Sequence, residues 1–255
     1  MDWSRAKSIL IIAFLLLNIV LGYQLLKGNG SGSDLPGDML EETNKLLRSK
    51  NIQLNAVLPT DTPRLREITV TYNDQFKNEK VMLQQPIRLN AILSKFDQKE
   101  SETITEIPKF DAYQHDPVSS KEGVYVLNQM YNQLPLFDVR LELDERGGEI
   151  VSYKQAYVDV QQGDRQKEEQ KVIPAYVALR TLIEKYLLEG STINDVRLGY
   201  HGQMFNSQVQ YMVPYWRVTT GKGSVYYIHA FNGAVDAESK EPEKTIGTNG
   251  DKSER

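Results

Sequence analysis

Hydrophobic and polar positions along the 255-residue chain change pattern twice. From Ser8 to Leu26 (SILIIAFLLLNIVLGYQLL) no side chain is charged. Helical and strand periods then alternate as far as residue 238. From Ser239 onward the chain is polar, with Ile246 its only aliphatic residue.

As a helix the first run would be about 28 Å long, close to the roughly 30 Å hydrocarbon thickness of a bilayer. Lys7 and Lys27 bracket it, and Trp3 and Tyr23 fall where interfacial aromatics sit. A secretory signal has a shorter apolar region, about 7–15 residues, and ends on small residues; Gly28-Asn29-Gly30 is a poor cleavage site. A core helix would show a polar face, and this run has almost none. The expectation is a retained single-pass membrane anchor at 8–26. Arg5 and Lys7 keep residues 1–7 cytoplasmic and put the main domain outside.

Phe14, Asn18 and Gly22 recur at i, i+4 and i+8, on one stripe of that helix. Gly22 allows close backbone approach, and an amide in hydrocarbon needs a hydrogen-bond partner. The stripe is therefore a candidate contact with other membrane helices. The alternative is that Asn18 bonds its own backbone or is merely tolerated.

Residues 27–37 read as a flexible tether, 38–238 as the folded domain and 239–255 as a disordered tail. Three helices are expected. The first, 38–50, buries Met39, Leu40, Leu46 and Leu47 behind an Asp38 N-cap. The second, 86–96, buries Ile87, Ala91 and Leu93, with Pro86 in its first turn. The third, 171–190, buries Val177, Leu179, Leu182, Ile183, Tyr186 and Leu187 and ends at Gly190.

Strands are expected at 68–73, 123–131, 194–202, 207–220 and 224–236, the last two joined by a turn at 221–223. The stretch 137–160 reads as a hairpin turning at Arg146-Gly147-Gly148, with Val139, Leu141 and Leu143 inward and Lys154 and Gln155 solvated. Pro214 suggests an edge or bulge. The fold class is α+β, antiparallel sheets packed with helices. An echo between 141–155 and 228–240 allows two related units, 38–162 and 163–238.

On the strand at 207–220, Trp216 shares parity with Met212 and Val218 and should face inward. Tyr211, Val213 and Tyr215 face the other way. A helix covers them, or they form an exposed patch for a protein partner.

Composition narrows the chemistry. There is no cysteine, so disulfides, thiolate metal sites and thiol nucleophiles are excluded. Of the basic and acidic residues only Arg5, Lys7, Lys27 and Asp2 precede residue 28. The remainder is thus more acidic than the whole chain's −4, which argues against nucleic acid as a partner. No G-x-S-x-G, P-loop or dinucleotide fingerprint occurs. His115 lies in a turn-like AYQHDP loop. His201 and His229 lie on strands that could be neighbours, without a third metal ligand at a diagnostic spacing. No metal or cofactor is expected; a carboxylate pair for glycoside cleavage stays open, because such pairs lie far apart in a chain.

The opening MDWSRAKSILIIAFLLLNIVLGYQL resembles the N-terminus of the YycI (WalI) family of membrane-anchored regulators from low-GC Gram-positive bacteria. LLRSKNIQLNA (46–56), LPTDTPRLREITVTY (58–72), YQHDPV (113–118) and PLFDVRLELDERGGEIVSYKQAYV (135–158) extend the resemblance over nearly the whole chain. It implies one transmembrane helix, an extracytoplasmic α/β domain and no enzymatic activity. The implied partners are a YycH-type companion and the WalK sensor histidine kinase of a cell-wall two-component system, reached through transmembrane helices. The last helix and strands also look like a PepSY unit, a fold of inhibitory propeptides. The competing readings are an anchored cell-wall-binding or hydrolytic protein and a protease inhibitor.

Overall fold

The computed structural model describes residues 7, 10–21, 36–96, 104–161, 168–202 and 208–236. Gly22, the tether through residue 35 and the tail from 239 lie outside them. The chain divides into two compact units, residues 1–45 and 46–255.

In the first unit, residues 10–21 form helix α1. Its leucines, isoleucines, Val20 and Phe14 are all exposed, from 46% at Leu21 to 73% at Leu10. The described span is part of the expected 8–26 run, and among the described residues no helix is long and apolar enough to cross a membrane. Helix α2 is Pro36–Ser49. It begins two residues before the expected start. Pro36 and Gly37 therefore belong to a helix and not to the tether, and Asp38 is a first-turn acid favoured by the helix dipole instead of the cap. Leu40 is exposed.

In the second unit, strands β1 (Gln53–Leu54), β2 (Arg64–Leu65) and β3 (Ile68–Arg88) precede helix α3 (Leu89–Phe96). Strands β4 (Tyr113–His115), β5 (Val124–Tyr131), β6 (Leu134–Arg146), β7 (Glu149–Val160) and β8 (Gln170–Lys171) follow. Helix α4 (Ala175–Lys185) then leads into β9 (Thr192–Gly202), β10 (Val209–Thr220), β11 (Val225–His229) and β12 (Val235–Asp236). Ten of these strands form one sheet, in the order β1-β9-β10-β3-β7-β6-β5-β4, with β11 and β12 branching from β10; β2 and β8 pair separately. The expected α+β class holds, and the sheet is antiparallel except where β9 meets β1 and β6.

The β6–β7 hairpin forms as its pattern predicts. Gly147 and Gly148 take φ of 63° and 86°, the left-handed pair a type I′ turn needs. Val139, Leu141 and Leu143 are fully buried. Gln155 is not solvated. It is 4% exposed and donates to the Pro108 carbonyl at 2.7 Å, because the 104–113 segment covers that face of β7.

Strand β3 continues fifteen residues past the expected end, through DQFKNEKVMLQQPIR, with three register shifts against β7. Beyond Tyr72, β7 is its only sheet neighbour among the described residues. Polar residues, lysines and irregular register are the usual marks of such an edge. Pro86 and Ile87 consequently lie in the strand and not in a helix, and α3 starts at Leu89. On α3 the fully buried residue is Ile92, while Leu93 is 37% exposed.

Helix α4 starts just after Pro174 and buries Ala175, Ala178, Leu179, Leu182 and Ile183. Tyr186, beyond its last turn, is exposed. These residues pack with Trp216, Val218, Ile228 and Ala230, and Leu47 and Ile52 join them. Each fully buried Leu or Ile there is worth about 1.5–3 kcal/mol. A second core lies under α3, with Ile92, Phe110, Leu127, Leu141 and Ile150. A third joins them through Val70, Leu136, Val139, Tyr200 and Met212.

Pro214 lies on neither an edge nor a bulge. Strand β9 runs alongside β10 through it, while the other neighbour of β10 changes from β3 (Val209–Met212) to β11 (Tyr215–Thr219). The missing N–H falls in that changeover, and the Pro214 carbonyl accepts the Ala230 N–H at 2.9 Å.

Candidate functional site

Three places are candidates: the Phe14–Asn18 stripe of α1, the tyrosine face of β10, and the seam where the two halves of the sheet meet.

On α1, Phe14 is 65% exposed and Asn18 is exposed beside it. Asn18 Nδ2 donates to the Phe14 carbonyl at 2.9 Å, closing an i to i−4 bond within the helix. This occupies one of the two amide hydrogens and leaves the other, with Oδ1, able to bond laterally.

On β10, Met212, Trp216 and Val218 are fully buried, as their parity predicts. The opposite face is divided. Tyr211 is 63% exposed, Val213 is half-buried and Tyr215 is buried. The three do not form one exposed patch, and among the described residues no helix covers them. Tyr215 is covered by strand side chains instead. His201 meets it edge-on at 5.3 Å, His229 at 5.2 Å and Tyr227 at 6.4 Å. Its hydroxyl donates to Asp236 Oδ2 at 2.6 Å, and burial with that carboxylate pushes its pKa well up.

His201 stacks on Tyr227, rings 3.8 Å apart and within 5° of parallel, with Nδ1 2.9 Å from Asp138. It faces Val213 on β10, whereas His229 faces Tyr215 from β11. The two histidine strands therefore flank β10 and are not neighbours. No group of three metal-ligating side chains stands together among the described residues.

The seam is built by a turn. Strand β4 ends on His115, which is strand and not loop, and the Asp116-Pro117 turn follows. Ser120 ties this turn back: its Oγ donates to the Asp116 carbonyl at 2.8 Å and accepts the Val126 N–H at 2.9 Å. The Asp116 side chain is thereby delivered, fully buried, onto β10. Both terminal nitrogens of Arg217 donate to it, Nη2 to Oδ1 at 3.0 Å. Ser119 Oγ (2.8 Å) and Asn128 Nδ2 (3.0 Å) complete its shell.

Arg217 is 2% exposed, lies 4.7 Å from the Phe137 ring centre and also donates to Asp195 at 3.1 Å. Its cross-strand neighbour is Arg197, and like charges directly opposite repel. The two aspartates offset this: Arg197 lies 3.6 Å from Asp116 and 3.7 Å from Asp195. Burial pushes the Asp116 carboxyl up, but the hydrogen bonds and charge of Arg217, with Ser119 and Arg197, outweigh it and hold its pKa far below the usual range. Asp116 is thus a fixed anion with its lone pairs engaged, which suits it to bracing and not to proton transfer.

A cleft of about 830 Å³ opens beside this cluster. Pro63, Leu134, Pro135 and Leu198 supply apolar walls; Gln114, Asn128 and Arg197 supply polar groups. A second cleft, about 560 Å³, lies near Ser119, Arg140 and Tyr227. The sequence reading missed both, together with the cluster. The one available signal was Arg217 itself, a single charge inside the otherwise buried run from Pro214 to Thr220.

A protein-family model described as "YycI protein" matches residues 37–231. No curated protein matches the chain. Among solved structures, an uncharacterized protein from Eubacterium rectale is similar at 11% identity and a TM-score of 0.33. The similarity covers 80% of this chain and 83% of that one.

Proposed function

The chain belongs to the YycI family, non-enzymatic regulators associated with the WalK/WalR two-component system, and we propose that it acts as a single-pass membrane protein whose helix contacts the WalK-type kinase. A YycH-type companion shares the assembly. Residues 8–26 form the anchor, 1–7 face the cytoplasm and the domain from 38 onward lies outside the cell.

One observation carries this reading: α1 exposes aliphatic side chains all round its circumference. In water such a helix has no stable setting, whereas in a bilayer that surface is solvated. In this reading the influence on the kinase passes laterally, helix to helix, through Phe14, Asn18 and Gly22. A bound helix shifts a two-state receptor only if it binds the two states unequally, and a stripe with one amide and one small residue offers orientation-dependent contacts.

Single cysteines placed through residues 9–26 have a clean background, because the native chain has none. Crosslinks to the kinase should recur with helical period and peak at 14, 18 and 22. The Asn18→Leu, Gly22→Ile double variant should change target-gene output at unchanged protein level. Crosslinking without period, together with unchanged output, overturns the contact face. A mature chain beginning after Leu26 overturns the anchor.

A further inference from the structure

Strands β4 and β5 place Gln114 directly opposite Asn128, and both line the larger cleft. Asn128 is 2% exposed. The ionised Asp116 carboxylate only accepts hydrogen bonds, so the amide must turn its Nδ2 toward it, at 3.0 Å. That leaves Oδ1 as a buried acceptor, and it has no partner among the described residues. Leaving such an atom unmade is costly, so a site that keeps one is set to receive a donor.

Arg197 stands on the same side. It reaches the same Asp116 carboxylate, yet its 3.6 and 3.7 Å approaches to Asp116 and Asp195 are ion-pair distances longer than hydrogen bonds. Those carboxylates accept their shorter contacts, true hydrogen bonds, from Arg217. The Arg197 fork is one-third exposed and lines the cleft. An N–H acceptor and an anion-binding fork are thus held near one carboxylate, beside a wall of Pro135 and Leu198.

We propose that this cleft binds an N-acyl α-amino acid carboxylate, as found at the C-terminus of a short peptide with an apolar last residue. Arg197 receives the carboxylate, the Asn128 Oδ1 accepts the last amide N–H, and the terminal side chain lies against Pro135 and Leu198. In such a group the carboxylate and the N–H sit on one carbon, which matches two receptors braced by one aspartate. A dianion such as phosphate is disfavoured relative to a carboxylate, because Asp61 lines the same cleft and its repulsion grows with the charge of the ligand. This inference stands apart from the anchor and does not depend on it.

The test is calorimetric titration of the full-length chain in detergent micelles with acetyl-Ala-Ala-Leu. Its C-terminal amide, a version methylated on the last amide nitrogen, acetyl-leucine and inorganic phosphate serve as comparison ligands. The free acid should bind, with the amide and the N-methyl peptide each at least tenfold weaker. Acetyl-leucine binding as well as the tripeptide would assign the site to single acyl amino acids; a tighter tripeptide would assign it to peptides. Arg197→Gln should weaken the acid at least tenfold while its melting curve stays within a few degrees of wild type. Equal binding of acid and amide, phosphate binding as tightly as the acid, an Arg197→Gln chain that binds normally, or no acid binding at millimolar concentration overturns the proposal.

Discussion

Arg217 on β10 and Asp116 in the turn after β4 form a two-pronged ion pair, the arginine 2% exposed and the aspartate fully buried. The pair ties the α3 side of the sheet to the α4 side. Its strength lies in what its removal leaves behind: breaking a buried pair strands the other charge. Arg217→Ala or Asp116→Ala should each cost about 3–5 kcal/mol. Joint replacement, Asp116→Leu with Arg217→Met, should cost less than the two singles combined. Urea unfolding of the four proteins, read as a double-mutant cycle, measures the coupling.

The pair also sets a pH dependence. The Asp116 pKa is depressed in the folded protein, and the unfolded group titrates near about 3.9. Its stabilisation is therefore complete above about pH 4 and is lost as pH falls through the folded value. Unfolding free energy measured from pH 5 down to pH 2 should decline, and Asp116→Asn should flatten that decline.

Two histidines act at milder pH. Burial is the first cause that lowers the pKa values of His115 and His229 below the ordinary histidine value. Their contribution is present above the unfolded value, about 6.5, and is lost as pH falls through the folded values. His229→Gln should reduce the stability change between pH 7 and pH 5, measured by thermal melts at fixed salt.

Gly199 on β9 sits where β9 and β6 touch. A Cβ there would lie 2.6 Å from Phe137 Cζ and 2.6 Å from the Pro135 carbonyl oxygen. Gly199→Ala should destabilise by about 1–3 kcal/mol, the usual cost of overpacking. Adding Phe137→Leu should recover only part, because the backbone oxygen remains. Denaturant midpoints of the single and double variants check this.

Tyr113 donates its hydroxyl to the Ala156 carbonyl at 2.5 Å and receives Gln155 Nε2 at 3.3 Å. Burial, partly offset by that amide, pushes its pKa well up, so it stays a neutral donor. Tyr113→Phe should cost about 1–3 kcal/mol, since a buried carbonyl loses its partner. Chemical denaturation at neutral pH measures it.

Much of the second unit was legible from local period. The β6–β7 hairpin, helix α4 and the inward parity of Met212, Trp216 and Val218 follow from alternation, helical spacing and turn glycines. Those signals act over a few residues and survive in any context. Strand β3 was half-legible, because its second part is an edge strand with polar composition and irregular register. Gln155 and Tyr215 were misjudged for one reason. Alternation tells which residues share a face, but not what will cover it.

The candidate cleft shows the same limit more sharply. Gln114, Asn128, Arg197 and Asp116 each read as an ordinary polar position, and nothing local joins residues so far apart in the chain. The apolar run near the N-terminus, the charge balance, the absent cysteines and the order of elements were determined by composition and spacing, because each depends on neighbours along the chain. Which polar groups became buried, which aspartate braced two arginines, and which amide oxygen was left open were decided only when the two halves of the sheet closed on each other. Burial and pairing are properties of what meets across space, and a linear pattern carries no record of that meeting.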